Sequence, residues 1–190
     1  MGMPLTHRRF TVDEYHRMAE AGILTEDERV ELLDGWIVPM SPIGSPHAGC
    51  VNRLTRLLTG LLRDSAVVSV QNPVVLNDLW EPEPDVAVLD FRADGYSQAH
   101  PRPPDVRLIV EVADSSTEKD RRIKLPAYAE ALVPEVWLVN LPAERIEVYQ
   151  DPAAGRYATR RIIGRGASLS PLRLPDVALA ADEVLGPKAG

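Results

Sequence analysis

The sequence predicts an α/β protein with a mixed central β-sheet flanked by helices. Helical and strand-like segments alternate along the chain, which favours parallel pairing, and hairpin signals near both ends favour antiparallel pairing. The chain has 190 residues, of which 45% are hydrophobic and 26% charged, so it can bury a sizeable core. At this length we expect one domain over residues 1–190.

Terminal signals predict the first two helices. Thr11 and Glu14 match a capping box, so a helix is predicted over residues 12–21. Ser45-Pro46 predicts an N-cap followed by a proline in the first turn. Leucines at helical spacing extend that second helix to about residue 63.

Short runs rich in β-branched residues predict the strands, because Pro, Gly and Asp residues mark turns between them. Asp34-Gly35 between two apolar runs predicts a two-residue hairpin, and Asp151-Pro152 with Gly155 predicts another near the end. The predicted strands cover residues 30–33, 36–38, 67–70, 74–76, 86–89, 106–112, 135–140, 145–149 and 157–163.

An acidic residue, Glu111, lies inside the apolar strand predicted over residues 106–112. Side chains alternate along a strand, so Glu111 shares one face with Ile109 and Ala113. An unpaired buried carboxylate is unfavourable, so we expect it to be paired, protonated or bound to a metal. A structural ion pair with an arginine remains an alternative to a functional role.

Asp85 and Lys124 add to this pattern. Asp85 opens the strand at residues 86–89, and Lys124 lies near the start of the helix after Glu111, whose Pro126 fits the first turn. Asp85 alone would suit a turn. Together, two carboxylates and a backbone carbonyl make an all-oxygen site of the kind that Mg²⁺ or Mn²⁺ prefers, and a lysine could hold or help deprotonate a metal-activated water.

The order and spacing of these residues resemble the PD-(D/E)XK restriction-endonuclease-like superfamily, and more closely its Uma family. The resemblance covers about residues 10–185 and implies a restriction-endonuclease-like core, Mg²⁺ or Mn²⁺ as the cofactor, and DNA as the substrate. The matching segments are Val30–Gly35, Ser45–His47, Glu83–Val88, Leu108–Val112, Ser115–Thr117, Lys124–Tyr128 and Val136–Val139.

The resemblance also implies a role for each site residue. Asp85 and Glu111 would be metal ligands, with the backbone carbonyl of Val112 as a third ligand. Lys124 would be the catalytic lysine, and Glu31 the auxiliary acid near the N-terminus. These residues form the predicted catalytic group.

The chain departs from the superfamily's simple pattern at one position. Two residues after Glu111, the acid of the strand, stands Ala113 instead of lysine. The lysine must therefore come from the following helix as Lys124, with Lys119 as the fallback.

Two further residues are accessory candidates, and each could instead have a purely structural role. Tyr128, one turn after Lys124, could orient the lysine or simply pack in the core. His47 matches a family position, but a lone histidine is more often a polar cap or a core partner than a ligand.

The favoured interpretation is a metal-dependent endonuclease that hydrolyses DNA phosphodiester bonds, acting as a homodimer by analogy with its fold. The net charge of −7 and the lack of a dedicated DNA-reading motif favour an alternative. In that alternative, the chain is a catalytically silent nuclease-like module that binds a partner protein or nucleic acid. Hydrolysis of a small phosphorylated metabolite would use the same metal chemistry and stays open.

Composition sets the expected compartment. No stretch approaches the roughly 18 apolar residues that a membrane-spanning helix needs, so no membrane partner is expected. The first ten residues lack the apolar core of a signal peptide. Cys50 is the single cysteine, which excludes an internal disulfide framework and a cysteine-based zinc site. We therefore expect a soluble cytoplasmic protein.

Overall fold

The computed structural model describes residues 7–25, 27–114 and 120–188, and within them it confirms the predicted fold class. Helices and strands alternate around a mixed sheet. The helices are α1 (Val12–Glu20), α2 (Ser45–Leu62), α3 (Leu125–Glu130) and α4 (Ala181–Leu185). The strands are β1 (Val30–Leu33), β2 (Trp36–Pro39), β3 (Ala66–Val70), β4 (Val86–Asp90), β5 (Val106–Ala113), β6 (Glu135–Asn140), β7 (Arg145–Ala153), β8 (Arg156–Gly164), β9 (Ser168–Leu169) and β10 (Leu179–Ala180).

The central sheet has the strand order β3-β4-β5-β6-β7-β8. Strands β5 and β6 are parallel, and the other neighbouring pairs are antiparallel. A parallel pair needs a crossover connection, and α3 lies within the one that joins β5 to β6. Strands β1 and β2 form a separate hairpin, and β9 pairs with β10.

Each face of the central sheet is covered by a different apolar layer, as the alternation along β5 predicts. Leu108, Val110 and Val112 belong to the layer that includes residues of α2 and α4. Ile109 and Ala113 belong to the opposite layer, which includes residues of α3. Glu111 follows the same alternation, so it is confirmed on the face that α3 covers.

Local signals are confirmed where short-range chemistry decides the structure. Thr11 and Glu14 make both hydrogen bonds of the capping box at the start of α1. Asp34 and Gly35 have φ angles of 52° and 75°, which suit a hairpin turn with left-handed residues. A Cβ on Gly35 would lie 2.6 Å from the Cβ of Arg9, so glycine is also required by the close packing of the preceding chain.

The prediction of a strand over residues 74–76 is wrong. These residues are buried and apolar as expected, but they belong to an extended segment without a strand ladder. The Val74 N–H donates to the Pro82 carbonyl and the Leu76 N–H donates to the Trp80 carbonyl. The Val75 N–H donates to the more distant Pro101 carbonyl, so bonds to loops satisfy this backbone in place of a neighbouring strand.

Two boundaries also differ from the prediction. Gly44 is the N-cap of α2, and Ser45 is its first helical residue. The last hairpin is longer than predicted, and its strands continue through Asp151-Pro152 to a turn at Ala154-Gly155. In the described part of the chain, no helix combines the length and apolar character needed to cross a membrane.

Candidate active site

The predicted site residues converge on one pocket. Glu31 comes from β1, Asp85 immediately precedes β4, and Glu111 and Val112 belong to β5, while Lys124 immediately precedes α3. The antiparallel register pairs Val86 with Val110. Continuing this register by one residue places Asp85 opposite Glu111. The two acids therefore lie side by side where β4 begins.

Lys124 lies between two carboxylates at the base of this pocket. Its Nζ is 3.1 Å from Glu31 Oε2 and 3.2 Å from Glu111 Oε1. All three residues are at most 4% exposed. A charge can remain buried in this way because opposite charges at short distance offset the loss of hydration. The structure thus places the Lys124 ammonium beside Glu111.

A single helical turn of π type, Asp120–Lys124, precedes α3 and carries the lysine into the pocket. Pro126 lies in the first turn of α3, directly after the π-type turn, and because proline has no N–H it cannot donate a hydrogen bond back to that turn. Turns of π type are often found at functional sites in helices. Lys119, the predicted fallback, lies outside the described residues.

Tyr128 contacts the same carboxylate from α3. Its O–H donates to Glu111 Oε1 at 2.6 Å, and its side chain is fully buried. Lys124 and Tyr128 therefore approach Glu111 from one helix face, as their spacing of four residues predicts. The contact of Tyr128 is with the acid, and this orients the carboxylate.

Asp85 is held by three neighbours. Its Oδ2 accepts the Val112 N–H at 2.8 Å and lies 3.0 Å from His47 Nε2. The side-chain amide of Gln71 donates to Oδ1 at 3.4 Å. Gln71 has a φ of 50°, a left-handed conformation unusual for glutamine, and its N–H donates to the Asp85 carbonyl. The strained residue thus fixes the chain beside Asp85.

The pocket also contains residues that sequence reasoning did not select. They include Arg29, Gln71, Glu83 and Asp114. Glu83 stands two residues before Asp85, and this period-two spacing of acids along an extended segment was the available signal. The described lining thus carries five carboxylates, from Glu31, Glu83, Asp85, Glu111 and Asp114, against the two cations Arg29 and Lys124.

This excess of negative charge affects Glu83. Burial raises the pKa of its carboxyl above the ordinary 4.5, and the nearby Glu31 raises the pKa further. The Glu83 N–H also donates to Glu31 Oε2 at 3.3 Å, which keeps the two residues close. The charged form of Glu83 is thus unfavourable in this pocket, and a bound cation would offset that repulsion. The pocket is therefore suited to a cation.

We expect Glu83→Gln to raise the stability of the metal-free protein at neutral pH. A carboxyl whose pKa is raised by folding destabilises the folded state above that pKa, and this penalty disappears below the ordinary pKa of 4.5. The expected gain in unfolding midpoint is small, up to about 3 °C at pH 7, and it should vanish as the pH falls below 4.5. Thermal unfolding followed at several pH values measures it.

Glu20→Gln, which changes an exposed acid of α1, is the matched control and should shift the midpoint little at any pH. A Glu83→Gln protein that is less stable than wild type at pH 7 would show that the pocket does not disfavour this charge.

Comparison with known proteins supports the fold described above. A crystal structure described as a "putative nuclease belonging to DUF820" from Anabaena variabilis superimposes with a TM-score of 0.74. It is 15% identical, and the match covers 93% of this chain and 97% of that chain. At this identity the likeness shows the fold alone. No curated protein matches the sequence.

The Uma2 family model, described as "Putative restriction endonuclease", matches residues 12–182. The matched range contains all the residues that line the pocket. Since the match spans most of the sequence, the chain belongs to the Uma2 family.

Proposed function

We propose that this protein is a metal-dependent endonuclease that hydrolyses phosphodiester bonds of DNA. The observation that carries the proposal is the charge of the pocket, where five carboxylates face two cations and one of the cations is a buried lysine. Membership of the Uma2 family supports the same chemistry. In a metal-dependent nuclease site, carboxylates hold a metal that activates the attacking water, and a nearby positive group can stabilise charge on the phosphate.

The donor set of the pocket fits a hard divalent cation. Asp85 and Glu111 would hold Mg²⁺ or Mn²⁺, together with the carbonyl of Val112, since these ions prefer oxygen ligands. When bound, such an ion polarises the phosphate and lowers the pKa of a coordinated water. Glu31 and Glu83 add negative charge at the same side of the pocket, which favours retention of a cation.

The chain's own side chains would position the reactants. Lys124 supplies an ammonium that can donate to the attacking water and stabilise negative charge on the phosphate. Glu31 and Glu111 hold the Nζ of that lysine in place, and Tyr128 orients Glu111. His47, beside Asp85, would orient that carboxylate as a positioning residue.

We further propose that residues 1–190 form one domain of this type, with its core at about 10–185, and that the protein acts as a homodimer. Two sites in a two-fold dimer can cut both strands of DNA, and such dimers are the commonest oligomers. Light scattering at micromolar concentrations should give twice the chain mass of 20.9 kDa. A mass equal to that of one chain would reject the dimer.

The proposed function is tested by incubating the wild-type protein with supercoiled plasmid DNA. Nicked and linear products should form with Mg²⁺ or Mn²⁺ and should be absent with a chelator. Asp85→Asn protein, prepared in the same way, controls for contaminating nucleases. Wild-type protein that cleaves neither DNA nor RNA with any divalent metal would overturn the proposal and favour the catalytically silent binding module.

A further inference from the structure

We propose that His16, Glu81 and His100 form a second metal site, separate from the Asp85 pocket and suited to zinc or a similar transition metal. One donor atom of each residue lies within 4.8 Å of the others. Among the described residues, no other group of three or more His, Cys, Asp and Glu side chains brings its donor atoms this close together. Two imidazoles and one carboxylate are ligands that Zn²⁺ accepts readily.

The three ligands come from separate parts of the chain. His16 belongs to α1, Glu81 lies in the segment between β3 and β4, and His100 lies in the loop between β4 and β5. His16 Nε2 lies 2.8 and 2.9 Å from the two oxygens of Glu81. The rings of His16 and His100 are 5.8 Å apart, edge to face. The donors therefore converge without any shared local motif.

Backbone contacts already fix the chain near each ligand. The Glu81 N–H donates to the Leu32 carbonyl at 2.8 Å. Beside His100, the Pro101 carbonyl accepts the Val75 N–H at 3.0 Å, and at the start of α1 the Val12 N–H donates to the Asp78 carbonyl at 2.8 Å. A metal would therefore meet ligands that are largely organised in advance, which reduces the entropy cost of binding.

The dimensions suit a tetrahedral ion after a small adjustment. Zinc bonds of about 2.0–2.1 Å place neighbouring donors about 3.4 Å apart. His16 and Glu81 are already closer than this, and His100 is exposed, so its side chain can move inward by rotation. A bound ion would lie off the line between His16 Nε2 and the Glu81 carboxylate, these two donors would separate by about 0.5 Å, and the ion would replace the proton of their hydrogen bond.

Charge and access also favour a cation here. Glu81 is 3% exposed, so its carboxylate is buried and gains from a positive partner. Two surface grooves meet at the group, and His16 and His100 line both of them. An ion can thus enter from solvent, and water can complete its coordination, as in sites with three protein ligands.

The proposed site is chemically distinct from the Asp85 pocket. The pocket offers mainly carboxylate oxygens, which suit Mg²⁺ and Mn²⁺, whereas imidazole nitrogens favour Zn²⁺ and Co²⁺. A metal at His16, Glu81 and His100 would tie α1 to the loop before β5. It would also hold the segment that pairs with Leu32, next to Glu31 of the pocket.

Cobalt provides a direct probe of this site, because Co²⁺ replaces Zn²⁺ and gives visible absorption when an imidazole-containing site holds it. Metal-free wild-type protein titrated with Co²⁺ should develop this absorption, and added Zn²⁺ should remove it. His16→Ala or His100→Ala should weaken Co²⁺ binding by at least about 10-fold, since even the loss of an outer partner of a metal ligand costs that much.

Two controls locate the metal. His7→Ala changes a histidine outside the group and should bind Co²⁺ as the wild type does. Asp85→Asn should lose any Co²⁺ held by the pocket but keep the visible absorption that the two imidazoles of the proposed site give. His100 is exposed, so its replacement should leave the fold intact, which circular dichroism checks. The proposal is overturned if the wild type binds no Co²⁺ or Zn²⁺, if both histidine variants bind it normally, or if Asp85→Asn abolishes the signal.

Discussion

Replacing Asp85 by asparagine or Glu111 by glutamine should nearly abolish both metal binding and DNA cleavage. Each change removes one negative charge from the proposed ligand pair but keeps the side-chain size. Mn²⁺ affinity should fall by about 10–100-fold or more. Cleavage at a fixed metal concentration should fall by roughly 10²–10³-fold, the usual effect of removing one electrostatic group at a reacting centre. Isothermal titration and plasmid cleavage measure the two quantities.

The fold should survive the Asp85 change. Asparagine retains an oxygen that can accept the Val112 N–H, which now donates to Asp85 Oδ2 at 2.8 Å. Asp94→Asn, outside the residues that line the pocket, is the matched control and should leave metal affinity and cleavage unchanged. If Mn²⁺ binds both pocket variants as tightly as wild type while both remain folded, the assignment of Asp85 and Glu111 as ligands is wrong.

Lys124→Met should reduce DNA cleavage by about 10²-fold or more, which is the usual contribution of a positioned proton-transfer group. Methionine approximates the length of lysine without its charge. Metal binding should persist or become tighter, because lysine is not a ligand and its positive charge repels the cation. The decisive pattern is therefore a loss of cleavage with retained Mn²⁺ affinity.

The same change should also destabilise the metal-free protein. From a position near a helix N-terminus alone, one expects little loss of stability, because a cation there gains nothing from the helix dipole. The structure changes this expectation, since Nζ lies between Glu31 and Glu111 and all three residues are buried. Removing the ammonium of Lys124 leaves the buried carboxylates of Glu31 and Glu111 without this positive charge. The free energy of unfolding should fall by an amount on the order of 3 kcal/mol.

Stability and catalysis can be separated by experiment. Cleavage is compared at a temperature where circular dichroism shows both proteins fully folded, with Mg²⁺ present to supply positive charge. Lys188→Met, an exposed lysine near the C-terminus, is the matched control and should behave as wild type. If Lys124→Met cleaves as fast as wild type under these conditions, the lysine is structural and Lys119 becomes the candidate.

The sequence predicted the elements that short-range chemistry controls. The capping box at Thr11 and Glu14 starts α1, and Asp34-Gly35 turns the first hairpin. The alternation along β5 predicted the face of Glu111 because a strand has a period of two. The resemblance to the Uma family added the link between Glu31, Asp85 and Lys124, residues that only the fold brings together.

Features that depend on distant contacts were not predicted. Residues 74–76 look like a strand by composition, but their N–H groups donate to Pro82, Trp80 and the distant Pro101 instead of to a neighbouring strand. The depth at which Lys124 is buried depends on β1 and β5 together. The group at His16, Glu81 and His100 joins residues up to 84 positions apart, so no local motif could reveal it.

The most direct test of the proposed metal centre is X-ray anomalous scattering from a crystal soaked in Mn²⁺, with cleavage activity measured on the same protein. The proposal predicts an anomalous peak between the carboxylates of Asp85 and Glu111, within bonding distance of the Val112 carbonyl. A peak should be absent there in Asp85→Asn crystals soaked in parallel. Active protein whose pocket holds no Mn²⁺ at saturating concentration would contradict the proposal.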